Sequence, residues 1–132
     1  MRSFTNNNPL NIKRTDLRLA GLSEEQTDSK YFQFVAPEYG IKVAFDRIKD
    51  FNINKHRKTI GAIISMWAPP DTNDTLSYIK FVCTICKCEP EYIVDITDTD
   101  FMVKLLGAMI RFENRTCPYT SSQLRKGILL NA

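Results

Sequence analysis

Apolar residues recur at helical spacing through most of the chain after residue 40. Ile41, Ala44, Phe45, Ile48 and Phe51 predict one amphipathic helix, and Ile60, Ile63, Ile64 and Trp67 predict a second that Pro69-Pro70 ends. A third is expected from Thr75 to about Cys86, capped by Asn73 or Asp74. A fourth runs from Asp98 to Glu113 with Thr97 as N-cap and Asp100 three residues on, and a short last helix spans Ser121 to Leu130. Residues 1 to 30 are polar and irregular, but Leu10-Asn11-Ile12-Lys13 reads as extended and Tyr31-Phe32-Gln33-Phe34-Val35 alternates like a strand. Together these patterns predict a mainly α domain of the α+β class, with about five helices and a small β-hairpin, occupying residues 1–132 as one unit.

Within the fourth helix one residue breaks the pattern. Met102, Leu105, Leu106, Met109 and Ile110 make a single stripe, Lys104, Gly107 and Arg111 take the opposite face, and Glu113 falls in the middle of the apolar stripe. A carboxyl group aimed at an apolar surface loses hydration, so its pKa rises and it stays protonated closer to neutrality. Those are the properties of a general acid. The alternative is a frayed, solvated helix end, or a pair with Arg111 or Arg115.

Composition narrows the classes. A net charge of +3, from 18 basic and 15 acidic residues, is mild, and the local basic run Lys55-His56-Arg57-Lys58 has no nucleic-acid motif around it, so no nucleic-acid partner is expected. No run is long and apolar enough for a membrane span, and the first residues lack the apolar core of a secretory signal. The protein is therefore expected to be made in the cytoplasm and to reach any cell-wall target through a virion, a holin or a secretion system. Of four cysteines, Cys83 and Cys86 fall in a predicted helix, which argues for buried free thiols over a four-thiolate zinc site. Cys88 and Cys117 fall in loops, where a disulfide stays open. With His56 as the one histidine, neither a metal nor another cofactor is expected.

Asn6 to Lys13, Asp28 to Phe34 and Trp67 to Pro70 concentrate amides and aromatics near turns, as the linings of sugar clefts do. Trp67 also continues the apolar stripe of its helix and reads as core. These strings resemble a group of phage and prophage proteins, often labelled virion or structural proteins. That group shows an Arg-Asn-Asn-Asn-Pro type start, a Trp-Ala-Pro-Pro segment followed by Asn-x-Thr, and a helix closing in Glu-Asn-Gly. The matching residues here are Asn6 to Asn11, Phe32-Gln33-Phe34, Gly40, Trp67 to Pro70, Asn73-Asp74-Thr75, Tyr78 and Glu113-Asn114. Arg115 stands where that pattern has Gly, and Leu19-Ala20-Gly21 where an aromatic is usual.

A more distant resemblance is to flagellar-type glucosaminidases of the lysozyme-like superfamily. There a helix ending in a catalytic Glu precedes an Asn-Asn-x-x-Gly-Ile-Lys strand and an aromatic hairpin; here the corresponding strings come first and the Glu helix comes late, the order of a circular permutation. The resemblance implies a peptidoglycan glycosidase that cuts β-1,4 bonds between amino sugars, by hydrolysis or as a lytic transglycosylase. Glu113 would be its general acid, and Asn7, Asn8, Tyr31, Gln33, Asn114 and Tyr119 would hold substrate. Asp28, Asp71 and Asp74 are candidates for a second carboxylate. The partners implied are glycan strands of the wall, phage structural proteins or an immunity protein. A non-catalytic virion or tail module that binds wall polymer is the alternative.

Overall fold

A computed structural model describes residues 1–131. Its six helices are α1 (Arg2–Thr5), α2 (Pro37–Ile53), α3 (Ile60–Trp67), α4 (Thr75–Cys86), α5 (Thr99–Asn114) and α6 (Ser121–Ile128). The mainly helical class and the five longer helices agree with the sequence patterns. Packing closes them into a ring: α2 lies against α3, α3 against α4, α4 against α5, α5 against α6, and α6 back against α2. Inside the ring Ile48, Ile60, Ile63, Ile64, Met102, Leu105, Leu106, Met109 and Ile110 lose essentially all contact with water. Each such side chain contributes about 1.5–3 kcal/mol of transfer free energy, so this stripe-on-stripe burial is what fixes the helices.

Local chemistry sets the helix ends. Thr59, Asp74, Asp98 and Thr120 each accept a backbone N–H of the first turn, and Thr120 forms a reciprocal capping box with Gln123. For α5 the cap is Asp98, which accepts the Phe101 N–H at 3.1 Å, rather than the expected Thr97, whose hydroxyl and amide both donate to Asp95 Oδ1 in the turn before the helix, at 2.6 and 2.9 Å. The short α1 has too few residues to show a stripe and is not legible from periodicity.

The expected hairpin forms only as isolated antiparallel bridges, Lys13 with Tyr31 and Leu22 with Phe34. The reason lies in the amides of this region. Asn8, wholly buried, donates to the carbonyls of Ile12 and Phe32 and accepts the Ile12 N–H. Gln26 and Gln33 clasp in the same way, the Gln26 amide accepting the Gln33 N–H at 2.9 Å and donating to its carbonyl at 2.7 Å. Side-chain amides thus alternate with scattered backbone rungs such as Phe32 N–H to the Ile12 carbonyl and Val35 N–H to the Gly21 carbonyl, and the segment around Tyr31–Val35 is extended without becoming a strand. Its apolar side, Ile12, Phe32 and Phe34, makes a second small core beside the helical one. Trp67 is half-buried and packs on both cores.

Candidate active site

At the seam between the two cores lies a cleft of about 560 Å³, with Glu113 on its floor. Five other segments of wall matter: Leu10 to Lys13, Tyr31, Arg47 of α2, Trp67 to Pro69 at the end of α3, and Asn73-Asp74 leading to Tyr78 of α4. The Asn-rich start and the Tyr31 segment therefore lie on the same side of the domain as the Glu113 helix. The stretch facing the cleft, however, is Leu10 to Lys13; the Asn6 to Asn8 turn sits behind it.

Helix α5 presents Glu113 one turn beyond Ile110, where the buried stripe runs out. One carboxylate oxygen, Oε2, accepts two hydrogen bonds, from the Tyr78 hydroxyl at 2.6 Å and the Trp67 indole N–H at 2.9 Å. The other oxygen, Oε1, has no hydrogen-bond partner among the described residues. By surface area Glu113 is exposed at the helix end, while Trp67, Tyr78 and Phe112 crowd its carboxylate from the inner side. Loss of solvent on that side raises its pKa above the ordinary carboxylate value, and the Tyr78 and Trp67 hydrogen bonds offset part of the rise. The same burial, together with the neighbouring Glu113 charge, raises the Tyr78 pKa far above that of a free phenol, so Tyr78 remains a donor.

No arginine pairs with Glu113 among the described residues; Arg111 and Arg115 are exposed and take part in no ion pair there. Arg115 instead ends α5 in the left-handed conformation, φ 67°, the place where a glycine is usual. Next to it Asn114 is buried, accepting from Ser3 Oγ at 2.6 Å and donating to the carbonyls of Pro9 and Ile110. This knot ties the N-terminal turn to the helix that carries the acid.

The expected substrate-binding residues divide on this geometry. Tyr31 lines the cleft, with Arg2 and Lys30 over its ring at 4.8 and 5.3 Å. Asn8 and Asn114 are spent on backbone and Ser3, Asn7 donates to the Phe34 carbonyl, and the Gln33 amide oxygen accepts from Thr27 and Asp28. Tyr119 packs edge-on against Phe4, 5.8 Å between centroids. None of these five lines the cleft. Amides suit sugar hydroxyls and backbone groups equally well, which is why sequence alone placed them at the substrate.

Among the candidate bases, Asp28 is removed: it is held by Arg2 through two 2.6 Å bonds, by Asn6, and by the amides of Lys30 and Tyr31, which keeps its pKa far below the usual range. Asp74 lines the cleft but caps α4 and accepts the Ser77 hydroxyl at 2.8 Å. Asp71 is exposed and outside the cleft lining. Trp67 and Tyr78 are the site residues that periodicity concealed, since both continue apolar stripes. The available signal was their polar tips: an indole N–H and a phenol on buried faces call for a partner, and Glu113 is the acid on the facing stripe.

Elsewhere the thiols are free; burial pushes Cys83 up to about 11 and Cys86 up to about 12, so both stay protonated. Among the described residues no group of potential metal ligands converges and no helix is long and apolar enough to cross a membrane.

Comparison with known proteins finds a phage relative. The chain is 32% identical over 129 residues, 96% of its length, to Protein P5 of Pseudoalteromonas phage PM2, and the match spans 79% of that protein. No family model matches the chain.

Proposed function

Since the chain belongs to the family of Protein P5 of Pseudoalteromonas phage PM2, we propose that it is a phage-associated peptidoglycan glycosidase with Glu113 as its general acid, built on a circularly permuted lysozyme-like domain. The observation that carries this function is the asymmetric carboxyl group: one oxygen clamped by Trp67 and Tyr78, the other free in an open cleft, with loss of solvent on the inner side raising its pKa. Oε1–H protonates the leaving glycosidic oxygen as positive charge builds at the ring carbon. The carboxylate left behind is stabilised by two donors already in place, whose geometry costs nothing to organise at the moment of reaction.

Among the described residues Asp74 is the one other acid lining the cleft, and it caps α4, while Asp28 is bound to Arg2 and Asp71 lies outside the lining. The chemistry therefore favours a single-acid route, in which a substrate hydroxyl or a positioned water completes the reaction. As an enzyme without a cofactor it acts on wall glycan after delivery by a virion, a holin or a secretion system, alongside phage structural proteins.

The test is release of soluble muropeptides from purified sacculi. Wild-type protein releases them, Glu113→Gln does not, and mass spectrometry separates anhydro products from reducing ends. Full release by Glu113→Gln would sink the mechanism. Binding to sacculi with no release by the wild type would leave a wall-binding virion or tail module instead.

A further inference from the structure

Two cations in the cleft wall form no ion pair among the described residues. Lys13, on the extended segment, and Arg47, on α2, both line the cleft and are both exposed. The ion pairs among the described residues join Arg2 to Asp28, Lys42 to Asp46, Arg125 to Asp100 and Lys126 to Glu38, and neither cleft cation takes part. The two acids that share the cleft are engaged elsewhere: Asp74 with Ser77, Glu113 with Trp67 and Tyr78. Arg47 is nonetheless placed, its guanidinium 5.9 Å from the centre of the Trp67 ring whose N–H holds Glu113. A guanidinium resting on an indole is oriented while its fork of N–H donors stays available. Lys13 follows Ile12, whose backbone is locked by Asn8, and its own backbone bridges Tyr31, so the base of its side chain is fixed too.

We infer that this pair selects a glycan carrying carboxylates on the amino sugar, with Lys13 and Arg47 each binding an anionic oxygen while Glu113 faces the scissile bond. An uncharged amino-sugar polymer of the same backbone gives the two cations nothing to bind. The inference rests on the glycan reading of the cleft but not on Glu113 being catalytic. The carboxylate comes either from the lactyl ether of the sugar itself or from the peptide stem attached to it. Both sources present the same planar anion, which suits Arg47 as a bidentate fork and Lys13 as a point charge.

The experiment is calorimetric titration of the full chain carrying Glu113→Gln, so that probes stay intact. The probes are soluble muramyl tetrasaccharides without peptide, the same with peptide stems, and the carboxamide form of each. A carboxylate probe is expected to bind about ten- to a hundredfold tighter than its carboxamide, with the preference falling as salt rises. Adding Lys13→Ala and Arg47→Ala should bring that ratio close to one, and an unchanged thermal midpoint establishes that the variant is folded. A preference confined to the stem-bearing pair assigns the peptide carboxylates; one already present without peptide assigns the lactyl group. A ratio near one for both pairs in the starting protein, or a ratio that survives both substitutions, overturns the inference. Preference without any bond cleavage by the Glu113 protein would remove the glycosidase function and leave the anionic-glycan site standing. Cleavage without preference would do the reverse.

Discussion

At the scale of single residues, the cleft chemistry turns on which form of Glu113 its neighbours favour. The Tyr78 hydroxyl stabilises the carboxylate, so Tyr78→Phe raises the Glu113 pKa further. A general acid is lost as pH rises through its pKa; the alkaline limb of the pH–rate profile should therefore move to higher pH in Tyr78→Phe, and a downward move would contradict the clamp. Linkage gives a second sign. Glu113 has a folded-state pKa above its unfolded value, so its stability contribution is complete below the unfolded pKa and is lost as pH rises through the folded one. Glu113→Gln removes that loss, so its thermal midpoint near neutrality should equal or exceed the wild type's, the gap closing on acidification. Asp28 runs the other way: its pKa is held down by Arg2 first, so its contribution is present above the ordinary carboxylate range and disappears as the solution is acidified. Tyr78 and Trp67 show the limit of sequence reading at this scale. Periodicity put Trp67 on an apolar stripe, and only the fold showed that its indole and the Tyr78 hydroxyl meet at the same carboxylate.

At the scale of elements, the helices were legible and the hairpin was not. Burial stripes and caps are local, so Ile60 to Trp67 or Thr75 to Cys86 declare themselves from spacing alone. The extended segments depend on partners beyond the nearest turn, and here those partners mix backbone groups with amide side chains. Asn8→Ala would strand the Phe32 carbonyl and the Ile12 N–H in a buried site, while the Ile12 carbonyl keeps the Phe32 N–H at 3.1 Å. At about 1–3 kcal/mol per stranded group, urea denaturation should register a loss of roughly 2 kcal/mol or more. The C-terminus of α5 offers the opposite change. Arg115 holds a positive φ that a side chain resists, so Arg115→Gly should raise stability by about 0.5–1 kcal/mol in the same assay while leaving the cleft intact.

At the scale of the whole molecule, the ring of helices and the extended N-terminal region meet through close backbone approaches. A Cβ on Gly40 would lie 2.1 Å from the Asn7 carbonyl oxygen, so α2 can only lie against the Asn-rich turn because that position has no side chain. Gly127 likewise lets α6 reach the Ile41 side chain of α2, where a Cβ would stand 2.6 Å away. Gly40→Ala meets backbone rather than a movable side chain and should cost about 1–3 kcal/mol. Because it loosens the wall that carries Leu10 to Lys13, it should also lower activity on sacculi more than a core substitution of equal cost placed on α6. Equal losses of activity at equal stability would mean that the turn does not position the cleft.

The sequence by itself determined the mainly helical class, the stripe positions, most caps and the oddity of Glu113, since each is decided by spacing and by residues a few places apart. Which amides serve the backbone and which face the cleft was decided by the tertiary structure, because donor and acceptor chemistry is the same in both uses. Asn7, Asn8, Gln33 and Asn114 close the fold, while Lys13, Arg47, Trp67 and Tyr78 stand around the acid. Only the convergence of α3, α4 and α5 on the extended N-terminal segment sets one misplaced carboxyl group in a cleft.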